Sequence, residues 1–471
     1  MKKYIFFVTN QDHWFNAAKK LYDEKIGIPV LWLGDDKHFL KAKELFGENV
    51  YSDLIHRHRN YQIENVNYNG EHKEFFYSQN YTRAKDRSIK MMDRLDINGV
   101  FGRLDRETYF HNLLISYLKK IYDSKPDVLI TAENPHDYPK YIIYEICNYL
   151  KIPSYKFNNW MFSPLLFLED IDSGNIIEKH YIIPEAINKR ADDDINKFVE
   201  NLINKDKKYE LYYMKSQRKS SQLIPLIISF FQYGFIQILK DIKHNLGMLF
   251  KDVYNPINPY RFNLFTRLYI KNNRRRSLVS AYKKTFEKIE LDTEFVYFPL
   301  HYEPERTTNP DGGFFHDQFI TIVQLREFIP DNINIIIKEH PSQFYSPRGT
   351  KGRSPLFYKL IKNIKGLIFI DKNHDSLDLI KKSLFVATVT GSVALEASVL
   401  GKKSIAFGKP WYKGCPNTFI WDKSLSYKDF INSPLKSNVE FLNFFKMLNN
   451  KYSVPGFING SQRNHFKHYV N

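Results

Sequence analysis

Three loops in the second half of the chain carry residue types that bind phosphorylated groups. Lys338-Glu339-His340-Pro341 follows the β-branched run Ile333 to Ile337, and Thr388-Val389-Thr390-Gly391-Ser392 begins at the end of the run from Leu384. A strand that stops at Pro341 delivers a cation and an imidazole to the carboxyl edge of its sheet. Thr390-Gly391-Ser392 then opens a helix whose apolar face is expected to include Val393, Leu395, Ala397 and Leu400. The Gly lets a ligand approach the backbone, and the positive end of the helix favours a phosphate. Glu396, one turn into the helix, is placed to accept hydrogen bonds from ribose hydroxyls. The third loop, His301 to Pro310, follows the run Phe295 to Pro299 and holds a His, two carboxylates and an Arg. Its expected role is to cover a crevice, with His301 or Glu305 touching substrate. A Thr-Gly-Ser before a helix is by itself more often an ordinary N-cap. A His-Pro strand end about 50 residues upstream in the same β/α alternation is what favours a phosphate site.

These loops need strands and helices that bring them to one edge. The helix expected from His316 to Phe328 and the strand Ser404 to Gly408 continue a β/α alternation, and ligands in such sheets sit at the carboxyl ends of the strands. A similar alternation opens the chain. Tyr4 to Val8 and Pro29 to Leu33 are expected strands, with a helix near Trp14 to Glu24 between them. A helix from Glu107 to Tyr122 leads to a strand at Asp127 to Thr131, a polar loop, a helix from Lys140 to Leu150 and a strand near Ile152 to Tyr155, which makes one βαβ unit. Its loop carries Glu133, His136 and Asp137. Group transfer to a hydroxyl needs a general base, or a carboxylate nucleophile if the transfer is a double displacement. Glu133, His136, Asp137 and His13 are the candidates for the base, and Glu133 or Asp137 for the carboxylate nucleophile. The polar segment Tyr51 to Arg106 gives no clear pattern.

Pro-Leu-His-Tyr-Glu-Pro-Glu (299 to 305), Lys-Glu-His-Pro-Ser-Gln-Phe (338 to 344), Thr-Val-Thr-Gly-Ser-Val-Ala-Leu-Glu-Ala (388 to 397) and Phe-Gly-Lys-Pro-Trp-Tyr (407 to 412) together resemble the bacterial capsule polysaccharide biosynthesis proteins, some of whose relatives are Kdo transferases. The resemblance is concentrated in residues 290 to 420. It implies an α/β GT-B glycosyltransferase, with two Rossmann-like domains facing a cleft and the nucleotide-sugar donor held mainly by the C-terminal one. By motif, His340 would contact the donor phosphate, and Thr390, Gly391, Ser392 and Glu396 would hold phosphate and ribose, with Lys338, His301 and Glu305 beside them. It further implies transfer without a metal or other cofactor, the leaving-group charge being met by cations and helix dipoles. The donor could be CMP-Kdo, and the acceptor a capsular polysaccharide or lipid-linked glycan. Two alternatives stay open: a CDP-glycerol glycerophosphotransferase-like polymer synthase, and a non-catalytic glycan-binding or assembly protein.

A chain of 471 residues exceeds the usual single core. The expected division is an acceptor-side Rossmann-like domain over 1–195, a helical insert over 196–289, a nucleotide-sugar domain over 290–425, and helices with a tail over 426–471. Cys147 and Cys415 are far apart without a metal-like spacing, so reduced thiols in a cytoplasmic protein are expected. The formal charge of +17 favours an acidic partner. No zinc-finger, RNP-like or basic heptad pattern accompanies it, so nucleic acid is not expected to be that partner. Ser220 to Leu239 lacks any charged residue but is too polar to be expected to span a membrane; it reads as a buried or dimer-forming helix or, given its basic flanks, as an interfacial helix at the inner face of the cell membrane. Lys271 to Arg276 adds a basic cluster. Asp192-Asp193-Asp194 is expected to cap a helix from Ile195 instead of holding a metal, and Asp170 to Asn175 to form a hairpin turn.

Overall fold

The computed structural model describes residues 1–8, 11–53, 63–67, 70, 72–93, 96, 101–204, 236, 238–240, 242–243, 246–247, 264–287, 293–305, 307–345, 349–458 and 466. The chain forms two α/β units, one built mainly from Met1–Asn196 and Phe445–Asn471, the other from the residues between them.

In the first unit the strands are Lys2–Phe7 (β1), Gly27–Gly34 (β2), Val50–Ser52 (β3), Val128–Thr131 (β4), Ser154–Asn159 (β5) and Leu165–Asp170 (β6). Strands β1 to β5 are parallel in the order β3-β2-β1-β4-β5, and β6 turns back antiparallel along β5. Burial on both faces explains why the opening run is apolar at every position. Tyr4, Phe6 and Val8 pack into one cluster with Trp14 and Trp32, while Ile5 and Phe7 pack into another with Tyr109, Leu113 and Ile142. The unpatterned segment contains a helix at Gln79–Met92, which docks on the helix Tyr138–Tyr149. There the Arg83 Nη2 lies 3.0 Å from Glu145 Oε2, and the Tyr141 hydroxyl donates to Glu145 Oε1 at 2.5 Å.

The second unit is a six-stranded parallel sheet. Its strands are Phe295–Pro299 (β7), Asn334–Lys338 (β8), Leu367–Phe369 (β9), Phe385–Thr388 (β10), Lys403–Ala406 (β11) and Thr418–Ile420 (β12). Their order, β9-β8-β7-β10-β11-β12, is the doubly wound arrangement in which the first and fourth strands of the unit lie side by side at the switch point. Alternate residues of β7 again face opposite ways, Val296 and Phe298 into one core and Phe295 and Tyr297 into the other. The expectation of an α/β chain with two Rossmann-like sheets is met.

One sequence-based expectation is overturned. The helix that carries the Asp run extends over Glu185–Ile203, so Asp192 to Asp194 lie within it and do not cap it. The uncharged stretch 220–239 lies almost wholly outside the described residues, and no described helix is long and apolar enough to cross a membrane. The described residues after 445 add to the first unit. Ser453–Pro455 forms a strand (β13) antiparallel to β6, and Phe445 packs edge-on against Trp160 and Phe162 at 6.0 and 5.2 Å. The turn Asp170 to Asn175 is as expected, with Gly174 N–H bonded to Asp170 O at 2.9 Å.

Because Phe445 is fully buried within the first unit, Phe445→Ala is expected to lower that unit's stability by about 3–5 kcal/mol. Urea unfolding followed by tryptophan fluorescence measures this. A loss below about 1 kcal/mol would mean that the segment adds little to the core.

Candidate functional site

The polar loops expected at the carboxyl edge of the second sheet do meet there, at the switch point between β7 and β10. His301 leaves β7 and turns its imidazole toward the end of β10. Its Nε2 lies 2.9 Å from Thr388 Oγ1 and accepts from the Val389 N–H at 3.2 Å and, weakly, from the Thr390 N–H at 3.4 Å. Donors converging on Nε2 require it to be unprotonated, which fixes the neutral tautomer with the proton on Nδ1. Burial, reinforced by His340 and Arg353, pushes the His301 pKa down to about 3.

The polar groups of the Thr390-Gly391 turn make hydrogen bonds within the loops. The Thr390 amide faces His301, the Gly391 amide donates to Thr388 Oγ1 at 3.0 Å, and Thr390 Oγ1 donates to the Thr307 carbonyl at 2.8 Å. These groups therefore shape the turn and hold the 301–310 loop against it. A Cβ on Gly391 would stand 2.7 Å from Thr388 Oγ1 and 3.2 Å from His301 Cε1, so the Gly is required by the close approach of the imidazole. Tyr412, fully buried, donates to the Gly391 carbonyl at 2.5 Å. Ser392 is the N-cap of the helix Val393–Val399, with no hydrogen bond from its side chain to the helix amides. Val393, Ala397 and Leu400 pack in one core cluster as expected, and Leu395 is buried as well but outside that cluster.

Lys338 and Glu396 belong to a second polar group beside the turn. Lys338, the last residue of β8, is buried, and its ammonium donates to the His374 carbonyl at 2.9 Å and to Ser376 Oγ. It thus anchors the turn that precedes the helix Ser376–Lys382. Glu396 is only partly exposed. Burial pushes its pKa up to about 7, with Asp375 adding to the rise and Lys338 opposing it. His340 is half-buried beyond Lys338; its Nδ1 accepts the Ser342 N–H at 3.2 Å, so the neutral ring carries its proton on Nε2, the geometry of a donor toward an anion. Glu305 uses its backbone to form the loop: its N–H donates to Glu303 Oε2 at 3.3 Å and its carbonyl accepts from Thr308 Oγ1 at 3.0 Å.

The supports of these loops carried no signal in the sequence. Gln318 accepts the His301 N–H through Oε1 at 2.8 Å and donates to the His301 carbonyl at 3.2 Å, while Gln343 does the same for Glu303 at 2.8 and 2.9 Å. Arg353 donates to the His301 carbonyl at 2.8 Å and to Glu339 Oε2 at 3.0 Å. Glu339 has no exposed surface and also accepts from the Tyr358 hydroxyl at 2.6 Å and the His340 N–H at 2.8 Å. Burial raises its pKa, and Arg353, Tyr358 and the His340 amide act against that rise. A Cβ on Gly352 would fall 2.0 Å from the Glu303 carbonyl oxygen, which is why the chain carrying Arg353 can pass so close. A side-chain amide 17 or 40 residues from its target has no local pattern by which to be found.

In the first unit, the loop after β4 holds the other candidates. His136 has its Nδ1 2.8 Å from the Asn134 carbonyl, which fixes the proton there and leaves Nε2 as the basic nitrogen of the neutral ring, 3.9 Å from Asp137 Oδ1. Asp137 lies 3.6 Å from the ammonium of Lys140, a fully buried residue that also faces Asp53 at 3.3 Å. The Glu133 carbonyl accepts from Thr131 Oγ1. His13 packs its ring against Trp14 and Phe457, with centroids 4.9 and 4.4 Å away, in an aromatic cluster. Among the described residues no group of three or more His, Cys, Asp or Glu has the arrangement of a metal site. Cys147 and Cys415 are buried free thiols.

Two expectations follow. Arg353→Met leaves the Glu339 carboxyl buried without its cation and should cost about 3 kcal/mol in urea unfolding; adding Glu339→Gln should recover part of that loss if the ion pair is the cause. Glu396 binds a proton more tightly folded than unfolded, so its contribution to stability is complete below about pH 4.5 and is lost as the pH rises through about 7. The difference in stability between wild type and Glu396→Gln should therefore change by about 2 kcal/mol, against the wild type, from pH 5 to pH 8. Equal pH profiles in thermal unfolding would show that Glu396 has an ordinary pKa.

Residues 281–435 match a family model described as "Capsule polysaccharide biosynthesis protein". No curated protein matches the chain in sequence. Solved structures similar to it include the KpsC beta Kdo 2,7 transferase of Thermosulfurimonas dismutans, at 11% identity with 75% of this chain and 88% of that chain covered and a TM-score of 0.28. The beta Kdo 2,4 transferase of the same protein gives 11% identity, 74% and 88% coverage and a TM-score of 0.27. UDP-GlcNAc 2-epimerase from Methanocaldococcus jannaschii gives 12% identity, 99% coverage of both chains and a TM-score of 0.22. The family match spans all of β7 to β12 and the candidate loops of the second unit, so over about a third of its length the chain is similar to the capsule polysaccharide biosynthesis proteins.

Proposed function

We propose that this protein is a glycosyltransferase that adds a sugar from a nucleotide-sugar donor to a capsular or other surface polysaccharide. The observation that carries this reading is the meeting of His301, Thr388 and Gly391 at the switch point of a doubly wound sheet, with His340 and Glu396 at the same edge. Open α/β sheets bind ligands at that place, and the family match over 281–435 supplies the polysaccharide context.

In this reading the second unit binds the donor. His340, through Nε2–H, and the start of the helix at Ser392 meet the phosphate, and Glu396 accepts from ribose hydroxyls. Lys338 acts mainly by holding the 374–376 turn, and His301 by holding the Thr390-Gly391 turn in register, with Glu305 in the loop that covers both. CMP-Kdo is one donor that suits the assignment. No residue in the proposed mechanism is a metal ligand, and leaving-group charge is met by imidazole N–H and backbone N–H groups. Of the first unit's candidates, His136 is the best general base for the acceptor hydroxyl because its tautomer leaves Nε2 basic, while Asp137 lies against the Lys140 ammonium and Glu133 is the alternative carboxylate. The acceptor is a polysaccharide or a lipid-linked glycan, and the place of action is the cytoplasmic face of the cell membrane.

Thermal unfolding with a panel of CMP, UDP and GDP and their sugars tests the donor half. One nucleotide at about 100 times its Kd should stabilise the protein by about 2.7 kcal/mol, and His340→Ala should remove most of the shift. If none of the panel moves the transition of the folded protein, the nucleotide site is wrong. Turnover of CDP-glycerol alone would favour the glycerophosphotransferase alternative, and unimpaired polymer synthesis by His340→Ala and Glu396→Ala cells would favour the non-catalytic one.

A further inference from the structure

The chain's positive charge has a concentrated component that the donor site does not use. The helix Leu264–Lys283 contains six basic residues, Arg267, Lys271, Arg274, Arg275, Arg276 and Lys283, and no acidic one, and Lys284 follows it. Leu278 and Tyr282, one turn apart, are buried in the core of the second unit, where the Tyr282 hydroxyl accepts the Glu339 N–H and donates to the Ile370 carbonyl. That docking fixes which side of the helix turns outward. A surface groove runs along the outward side, lined by Arg275, Arg276, Val279, Ser280, Lys283 and Lys284, without a carboxylate. Cations in the last turn of a helix are common because they offset its dipole. That accounts for Lys283, but not for the run Arg274 to Arg276 two turns earlier.

A second observation, independent of the first, narrows the partner. Ile236, Leu239, Ile242 and Leu246 are helical residues, each about half exposed at 50–52%, and their spacing of three, three and four residues is that of one helix face. Lys240 and Lys243 are exposed beside them. An exposed apolar stripe edged by lysines is the pattern of a helix lying in a membrane interface. A nucleic acid or an acidic glycan would use the arginines but has no counterpart for four exposed aliphatic side chains. A bilayer with anionic headgroups uses both.

We infer that the second unit binds anionic phospholipid surfaces, through the Arg275 to Lys284 groove for headgroup phosphates and the Ile236 to Leu246 stripe for the acyl boundary. This deepens the proposed membrane-face location without depending on the nucleotide site, since no residue is shared. The basic face supplies attraction that screens with salt, and the apolar stripe supplies a part that does not.

Vesicle co-sedimentation of the full chain tests the inference, using phosphatidylcholine vesicles with and without about one third phosphatidylglycerol. Binding should require the anionic lipid and weaken steeply with salt. Reversing four charges (Arg275→Glu, Arg276→Glu, Lys283→Glu, Lys284→Glu) should weaken it by roughly 100-fold or more, while circular dichroism remains that of the wild type. Leu239→Glu with Ile242→Glu should remove the binding that persists at high salt. The inference is overturned if wild type ignores anionic vesicles, if it binds neutral vesicles equally, if the charge-reversed protein, folded, binds as wild type, or if heparin or DNA displaces the vesicles completely at matched charge. Failure here with an intact nucleotide-induced thermal shift would leave the proposed transferase standing, and the converse would leave the membrane contact standing.

Discussion

The buried ion pair between Glu339 and Arg353 is the interaction on which the candidate site depends. Neither group alone is tolerable where it lies, because an isolated charge in an apolar interior is far more costly than a paired one. Together they do what apolar side chains of the same volume would not. Arg353 reaches the His301 carbonyl and Glu339 reaches the His340 amide, so the loop after β7 and the loop after β8 are tied through one pair of charges. Tyr358 and Tyr282 complete the set, binding the carboxylate and the Glu339 amide. The position of His301 against β10, and hence the shape of the Thr390-Gly391 turn, follows from this arrangement, with Gln318 and Gln343 holding the backbone on either side.

A neutral His301 is the consistent outcome of that geometry. An imidazolium there would place a proton between Nε2 and backbone N–H groups that already point at it, next to Arg353 and His340. The turn expected to offer its amides to a phosphate directs two of them inward, to His301 and to Thr388 Oγ1. The groups around His301 thus form an internally hydrogen-bonded layer beneath the loop ends.

The second unit was largely legible in the sequence because its strands are buried on both faces. A run such as Phe295 to Phe298 has no polar position to blur it, and the Gly and Pro residues that end such runs mark the loops. The candidate residues His301, His340, Thr390, Gly391 and Glu396 could be found because they sit at those ends. Arg353, Gln318 and Gln343 could not, since each acts on backbone distant in sequence. The helix Gln79–Met92 escaped for another reason: its buried face includes Ala84 and Ser88, small residues that hydrophobic patterning does not register, and its docking relies on Arg83 meeting Glu145. The Asp192 to Asp194 run suggested a helix start because Asp is common there, but the helix had already begun at Glu185 and its apolar partners determine its length.

The strand Ser453–Pro455 has a consequence for how the protein is made. Until it is present, β6 has one open side, a row of unpaired backbone groups next to the apolar Leu165 and Leu166. The ribosome delivers β6 nearly three hundred residues before the strand that covers it, and all of the second sheet is synthesised in between. The unit that is translated first is therefore the one completed last, and for that interval its sheet edge is open to other chains.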